Sequence, residues 1–165
     1  MNFDLTEEQQ LLADSLKRYL ANEYSIDVRA KIVDSPTGWS ETVWAAFAEM
    51  GLLGVPFAEE HGGFGGTAVD VMLVMEALGE SLVVEPYWVN VGLGGRLIAR
   101  GGSVAQQKGI LPALIQGKQR LAFAHTERTA ATTWATWAPA PSAPAPASRS
   151  KARSARCSTA APPTR

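Results

Sequence analysis

Cysteine is almost missing from this 165-residue chain: its single thiol, Cys157, excludes an intrachain disulfide and any cysteine-built metal site. Histidine is nearly as scarce. His61 and His125 are the only two, so no Ser-His-Asp or Cys-His arrangement can be assembled, and His61, with acidic Glu59 and Glu60 beside it, has no second His or Cys nearby to make a metal site. A secretory leader is not visible either, because "MNFDLTEEQQ" has neither a basic start nor an apolar stretch. No apolar run approaches the ~20 residues that span a bilayer. These absences set the expectation of a cytoplasmic protein with no membrane partner. Positive charge is also short in the first 128 residues, which hold 10 Lys+Arg against 16 Asp+Glu, a net charge of −6. A nucleic-acid-binding domain would show a basic footprint instead, so no nucleic-acid partner is expected.

Residues 129–165 lack more. They contain no Leu, Ile, Val, Phe or Met and no Asp or Glu, yet carry five cations, Arg149, Lys151, Arg153, Arg156 and Arg165. Such a segment buries too little apolar surface to offset its ordering entropy, which predicts a disordered tail. The chain thus divides into an acidic body and a basic Ala/Pro/Arg-rich tail.

The body reads as helices. In "LTEEQQLLADSLKRYLANEY", Thr6 and Gln9 have capping-box spacing and Leu12, Leu16, Tyr19 and Leu20 recur at helical intervals, predicting a helix over about Thr6 to Glu23. "GWSETVWAAFAEMGLLG" repeats the pattern, with Ser40 as N-cap, Val43, Trp44, Phe47 and Met50 as the apolar face, and Gly51 at the left-handed C-terminal position. In "GTAVDVMLVMEALGESLV", Thr67 and Asp70 form a second capping box ahead of a Val71, Val74, Met75, Leu78 stripe. A less regular helix is expected through "YWVNVGLGGRLIAR", ending at Gly101-Gly102, and a short one within "SVAQQKGILPALIQG". Strand-like alternation first enters at "RLAFAHTE". The fold class is therefore all-α, a small domain of about five helices, and about 115 residues suffice for a small core. Trp39, Trp44, Trp88 and Phe47 are expected in that core or at an interface.

"EEHGGFGGT" admits two readings. Gly-rich turns before a helix can present N–H groups to an anion. The spacing fits neither the Walker nor the dinucleotide pattern, no strand precedes it, and Glu59 and Glu60 would repel an anion. A tight helix connection, with glycines for positive φ and close packing, is the preferred reading. From composition and spacing alone the body is a small helical domain and nothing more.

Three stretches, in order, carry a resemblance: "FDLTEEQQLLADSLKRYLANE", "WAAFAEMGLLGVPFAEEHGGFGGTAVDVMLVMEALGE" and "GGSVAQQKGILPALIQGKQRLAFAHTE". Together they resemble the N-terminal helical domain of the acyl-CoA dehydrogenases, over residues 2 to about 128. "AFAHTER" is most similar to the small-subunit-type members, such as pimeloyl-CoA dehydrogenase small subunits. The resemblance implies residues 1–120 as the helical domain and 121–128 as the first strand of a β-domain. It implies an FAD-dependent removal of α and β hydrogens from an acyl-CoA thioester, which is proton abstraction coupled to hydride transfer. It places Phe123, His125 and Thr126 beside the flavin, and it allows homo-oligomers or hetero-oligomers with other acyl-CoA dehydrogenase subunits. The segment with Gly-Ser-Asp that comes after the glutamate in the family is absent here, as are its catalytic glutamate base and most of its FAD and CoA site. The chain as written is thus expected to be an inactive fragment that does not retain FAD.

The tail has a reading of its own. If one base is missing near codon 128, every tail codon overlaps an original codon. Thr then requires NAC, Ala requires NGC, and Trp requires NTG with a following Gly. "TAATTWATWA" permits N-S-R-Y-D-L-G-D-V-G, and N-S-R-Y-D-L resembles the segment directly after "AHTER" in small-subunit-type acyl-CoA dehydrogenases. Further on, "ASRSKARS" permits G-F-T-L-E-G-E-K, which resembles the strand–turn–strand of the family's β-domain. Residues 129–165 thus read as out-of-frame translation. A genuine Pro/Ala-rich linker and a weak, salt-sensitive basic arm are the alternatives. A non-enzymatic helical interaction module with such a tail is the second functional reading.

Overall fold

A computed structural model describes residues 4–123. His125, Thr126, the rest of the expected strand and the 129–165 tail lie outside the described residues. The described residues form an all-helical domain: α1 (Glu7–Glu23), α2 (Ile26–Val33), α3 (Glu41–Glu49), α4 (Ala68–Glu80), α5 (Arg96–Gly101) and α6 (Val104–Ile115). Two 3₁₀ turns, Leu52–Gly54 and Glu59–His61, join α3 to α4, and a π-helix, Trp88–Gly95, runs directly into α5. No strand is present among the described residues.

The helix starts follow from side-chain chemistry. Thr6 accepts from the Gln9 amide while the Gln9 side chain accepts from the Thr6 amide. Thr67 and Asp70 make the same reciprocal box at α4, and Ser103 and Gln106 make it at α6. At Asp70, burial opposes ionisation, but hydrogen bonds from the Thr67 hydroxyl and amide and from Gln9 outweigh it and hold the carboxyl below its ordinary value. Gln9 thus lies close to the start of α4, and α1 and α4 pack along each other.

The core gathers on α3. Phe47 is fully buried, with Trp44 and Val43 beside it. Leu16 and Leu20 of α1, Val74 and Leu78 of α4, and Leu111 and Leu114 of α6 close around them. Gly51 takes φ 76°, as its position after α3 predicts. The glycine loop is a tight connection. Gly62 and Gly65 have φ of 87° and 64°. A Cβ on Gly63 would lie 2.2 Å from the Phe57 carbonyl oxygen.

Three features differ from the sequence-based expectations: the additional α2, the length of α6 and the π-helix. α2 is an additional helix; it opens on a Ser25 cap, and Arg29 Nε donates to the Leu82 carbonyl at 2.7 Å, where Leu82 turns the chain after α4 with φ 52°. α6 has 12 residues rather than being short. Trp88, expected in the core or at an interface, is 48% exposed. The irregular fourth helix is π over its first eight residues. Its glycines explain this. Three of them weaken the α preference, and each is a surface on which another group sits. Added Cβ atoms would fall 2.3 Å from the Trp88 ring at Gly92, 2.7 Å from Leu121 Cβ at Gly94, and 2.5 Å from Phe57 Cζ at Gly95.

Candidate functional site

Beyond α6 the chain is fastened step by step. The Lys118 and Gln119 amides donate to the Ala113 carbonyl, and the Trp44 indole N–H donates to the Gly117 carbonyl at 3.2 Å. The Arg120 guanidinium lies 4.0 Å from the centre of the Trp39 ring. The Leu121 amide then donates to Asn90 Oδ1 at 2.6 Å. This brings Phe123 to the rim of an open groove of about 410 Å³, lined by Gly92, Leu93, Arg96, Leu97, Arg100, Gly101 and Phe123.

The groove is mostly apolar, with two guanidiniums one helical turn apart. Leu97 and Phe123, which both line the groove, are 57% and 39% exposed, and Trp88 and Val89 of the π-helix are also exposed. Of the three residues that the resemblance places at the flavin, only Phe123 is described, and Leu121 to Phe123 carry no regular secondary structure. Arg96, Arg100 and Asn90 are not singled out by sequence reasoning. The spacing of Arg96 and Arg100 is the available signal for the first two; for Asn90, the signal is a lone amide in an otherwise apolar run.

The other sequence candidates are structural. His61 Nε2 lies 3.3 Å from the exposed Glu60 carboxylate, and no metal-binding group exists among the described residues. The glycine loop offers no anion nest, because its amides are already used: Gly63 donates to Ala58, Phe64 to Gly54, Gly65 to Phe57 and Gly66 to Val55. Among the described residues, Phe123 lines an open, mostly apolar groove. The described residues supply no phosphate cradle, and they do not fit FAD by themselves.

A buried polar junction forms around Glu85. Glu85, 6% exposed, accepts from the Tyr24 hydroxyl at 2.9 Å and from the Ser40 amide at 3.2 Å. The Val84 amide donates to the same Tyr24 oxygen. Burial, together with the Glu85 carboxylate, pushes the Tyr24 phenol up to about 12. Burial also raises Tyr87, whose hydroxyl donates to the Leu52 carbonyl. These phenols stay neutral and hold the domain together.

Residues 6–118 match the family described as "Acyl-CoA dehydrogenase, N-terminal domain". The chain belongs to the acyl-CoA dehydrogenase family. Among curated proteins it is similar to the probable acyl-CoA dehydrogenase YngJ of Bacillus subtilis, 32% identical over 132 residues, which are 79% of this chain and 34% of that protein. Among solved structures it is similar to a variant of the Tcur3481-Tcur3483 steroid ACAD, with a TM-score of 0.66 at 26% identity, covering 70% of this chain and 32% of that one. It is also similar to an acyl-CoA dehydrogenase complexed with FAD from Bacillus anthracis, with a TM-score of 0.65 at 25% identity, over 76% of this chain and 22% of that one. The acyl-CoA dehydrogenase match thus lies within the helical domain, and the chain spans about one third of the length of the curated relative.

Proposed function

We propose that this chain is the N-terminal helical part of an FAD-dependent oxidoreductase that acts on the CH–CH group of an acyl-CoA thioester. We also propose that residues 129–165 are an out-of-frame reading of the next domain. One observation carries the first part: the family's N-terminal domain fits residues 6–118, and that domain leaves Leu97 and Phe123 exposed in a mostly apolar groove beside the outgoing chain. Such a groove suits a surface that another domain covers. The flavin, when bound in the whole protein, would accept the β-hydride. The helical part would wall the acyl-chain side, with Phe123, and the following His125 and Thr126, towards the flavin. The codons permitted by "TAATTWATWA" and "ASRSKARS" support the second part.

The acyl-CoA substrate and FAD belong to the restored protein, and the 165-residue chain is proposed to be inactive. Small-subunit character suggests pairing with another acyl-CoA dehydrogenase subunit, and the two-component name of the Tcur3481-Tcur3483 relative favours a heteromer over a homomer. A non-enzymatic helical module with a basic tail is the alternative reading.

The test is to insert one base after codon 128, express the restored frame with and without a co-encoded partner subunit, and record the visible spectrum. A flavin band that bleaches on addition of an acyl-CoA is the expected result. A folded, full-length product without flavin in both preparations would defeat the proposal in favour of the interaction module.

A further inference from the structure

Asn90 is fully buried inside the π-helix, and its side-chain Nδ2 has no hydrogen-bond partner among the described residues. Buried amide groups are normally satisfied, and an apolar residue of similar size would fill the space without stranding a donor. Asparagine does one thing here that leucine could not. Its Oδ1 accepts the Leu121 amide at 2.6 Å, across 31 residues of sequence. The side-chain amide stands in for a neighbouring strand's carbonyl at the point where the chain quits the helices.

A second contact reinforces the first. Gly94, one turn on, lies under Leu121 so closely that an added Cβ would come within 2.7 Å of Leu121 Cβ. Asn90 and Gly94, four positions apart in the π-helix, both meet the same outgoing residue. Two residues beyond Leu121, Phe123 forms the rim of the groove.

We infer that Asn90 is a positioning residue: with Gly94 it forms a clip that fixes where the chain leaves the helical domain and so holds Phe123 at the groove. The clip stands on this chain's own geometry whatever reaction the whole protein performs. If the proposed function holds, it also sets the entry point of the segment that approaches the flavin.

The test uses the full 165-residue chain, ¹⁵N-labelled, with hydrogen exchange read at the Leu121 and Phe47 amides. Asn90→Ala removes the acceptor; Gly94→Ala leaves it in place but pushes Leu121 away. Both variants are expected to speed Leu121 exchange about tenfold or more, the loss of one hydrogen bond, while Phe47 stays within about twofold. Unchanged Leu121 exchange in both variants would overturn the clip. So would a parallel rise at Leu121 and Phe47, which would make Asn90 merely part of the core. If Asn90→Ala does not fold, Gly94→Ala decides by the same two amides.

Discussion

Replacing Phe47 by alanine is expected to cost ~3–5 kcal/mol of unfolding free energy, a large share of the ~5–15 kcal/mol typical of a folded domain. Phe47 has no exposed surface, and its ring meets Tyr19 edge-on at 6.3 Å with an interplanar angle of 71°. It stands in the cluster where α1, α3, α4 and α6 meet, so the cavity left by its removal is walled by several helices that cannot all close in. Urea unfolding followed by circular dichroism is the measure. Phe47→Leu, which keeps most of the volume, should lose less than half as much. A loss below ~1 kcal/mol for Phe47→Ala would mean that the core is not centred where the structure puts it.

Glu85→Ala should have the second-largest effect, ~2–4 kcal/mol, because it strips one buried carboxylate from two donors at once. Tyr24 ends α1, Ser40 caps α3, and Val84 lies between α4 and the π-helix, so one junction joins three connections. Glu85→Gln keeps one oxygen but turns an N–H towards one of the two donors, and should fall between wild type and Glu85→Ala. The same junction makes a pH prediction. Tyr24 is raised in the fold from an ordinary 10.0 to about 12, so its neutral form is the one the fold prefers. Its contribution is complete below about pH 10 and is lost as pH rises towards 12. Removing Glu85 takes away a group that raises Tyr24, so the tyrosinate absorbance should begin to grow at lower pH in Glu85→Ala. An unmoved titration would separate Glu85 from Tyr24.

Short-range chemistry is legible in the sequence, and long-range pairing is not. Thr6 with Gln9, Ser40, and Thr67 with Asp70 announce helix starts because caps act over three residues. Gly51 and the glycine loop are readable for the same reason, since positive φ and close backbone approach leave few residue choices. α2 is hidden because "IDVRAKIV" is short and rich in β-branched residues, and its docking through Arg29 to Leu82 spans 53 positions. Residue type puts Trp88 in the core or at an interface without deciding between them; its ring lies over Gly92 and the residue is 48% exposed. The groove is invisible for a similar reason: it needs Phe123 brought back to Gly92, and Asn90 does that through a bond no local pattern encodes. Phe123 is the one expected flavin-side residue among those described, and it sits at the groove's rim. The family resemblance, by contrast, rests on three whole stretches read together, and the match over residues 6–118 agrees with it.

The central claim is that a longer reading frame of an acyl-CoA dehydrogenase continues past Arg128. Resequencing the source DNA from the codon for Glu127 through that for Ala131, and on past Arg165, tests it most directly. One additional base near codon 128 that opens the frame into N-S-R-Y-D-L is the predicted result, and it would make residues 129–165 an artefact of the shifted frame. Unchanged bases in the source DNA would contradict an error in the sequence; if, in addition, no single inserted base opened a frame carrying both N-S-R-Y-D-L and G-F-T-L-E-G-E-K, the frameshift account itself would fall.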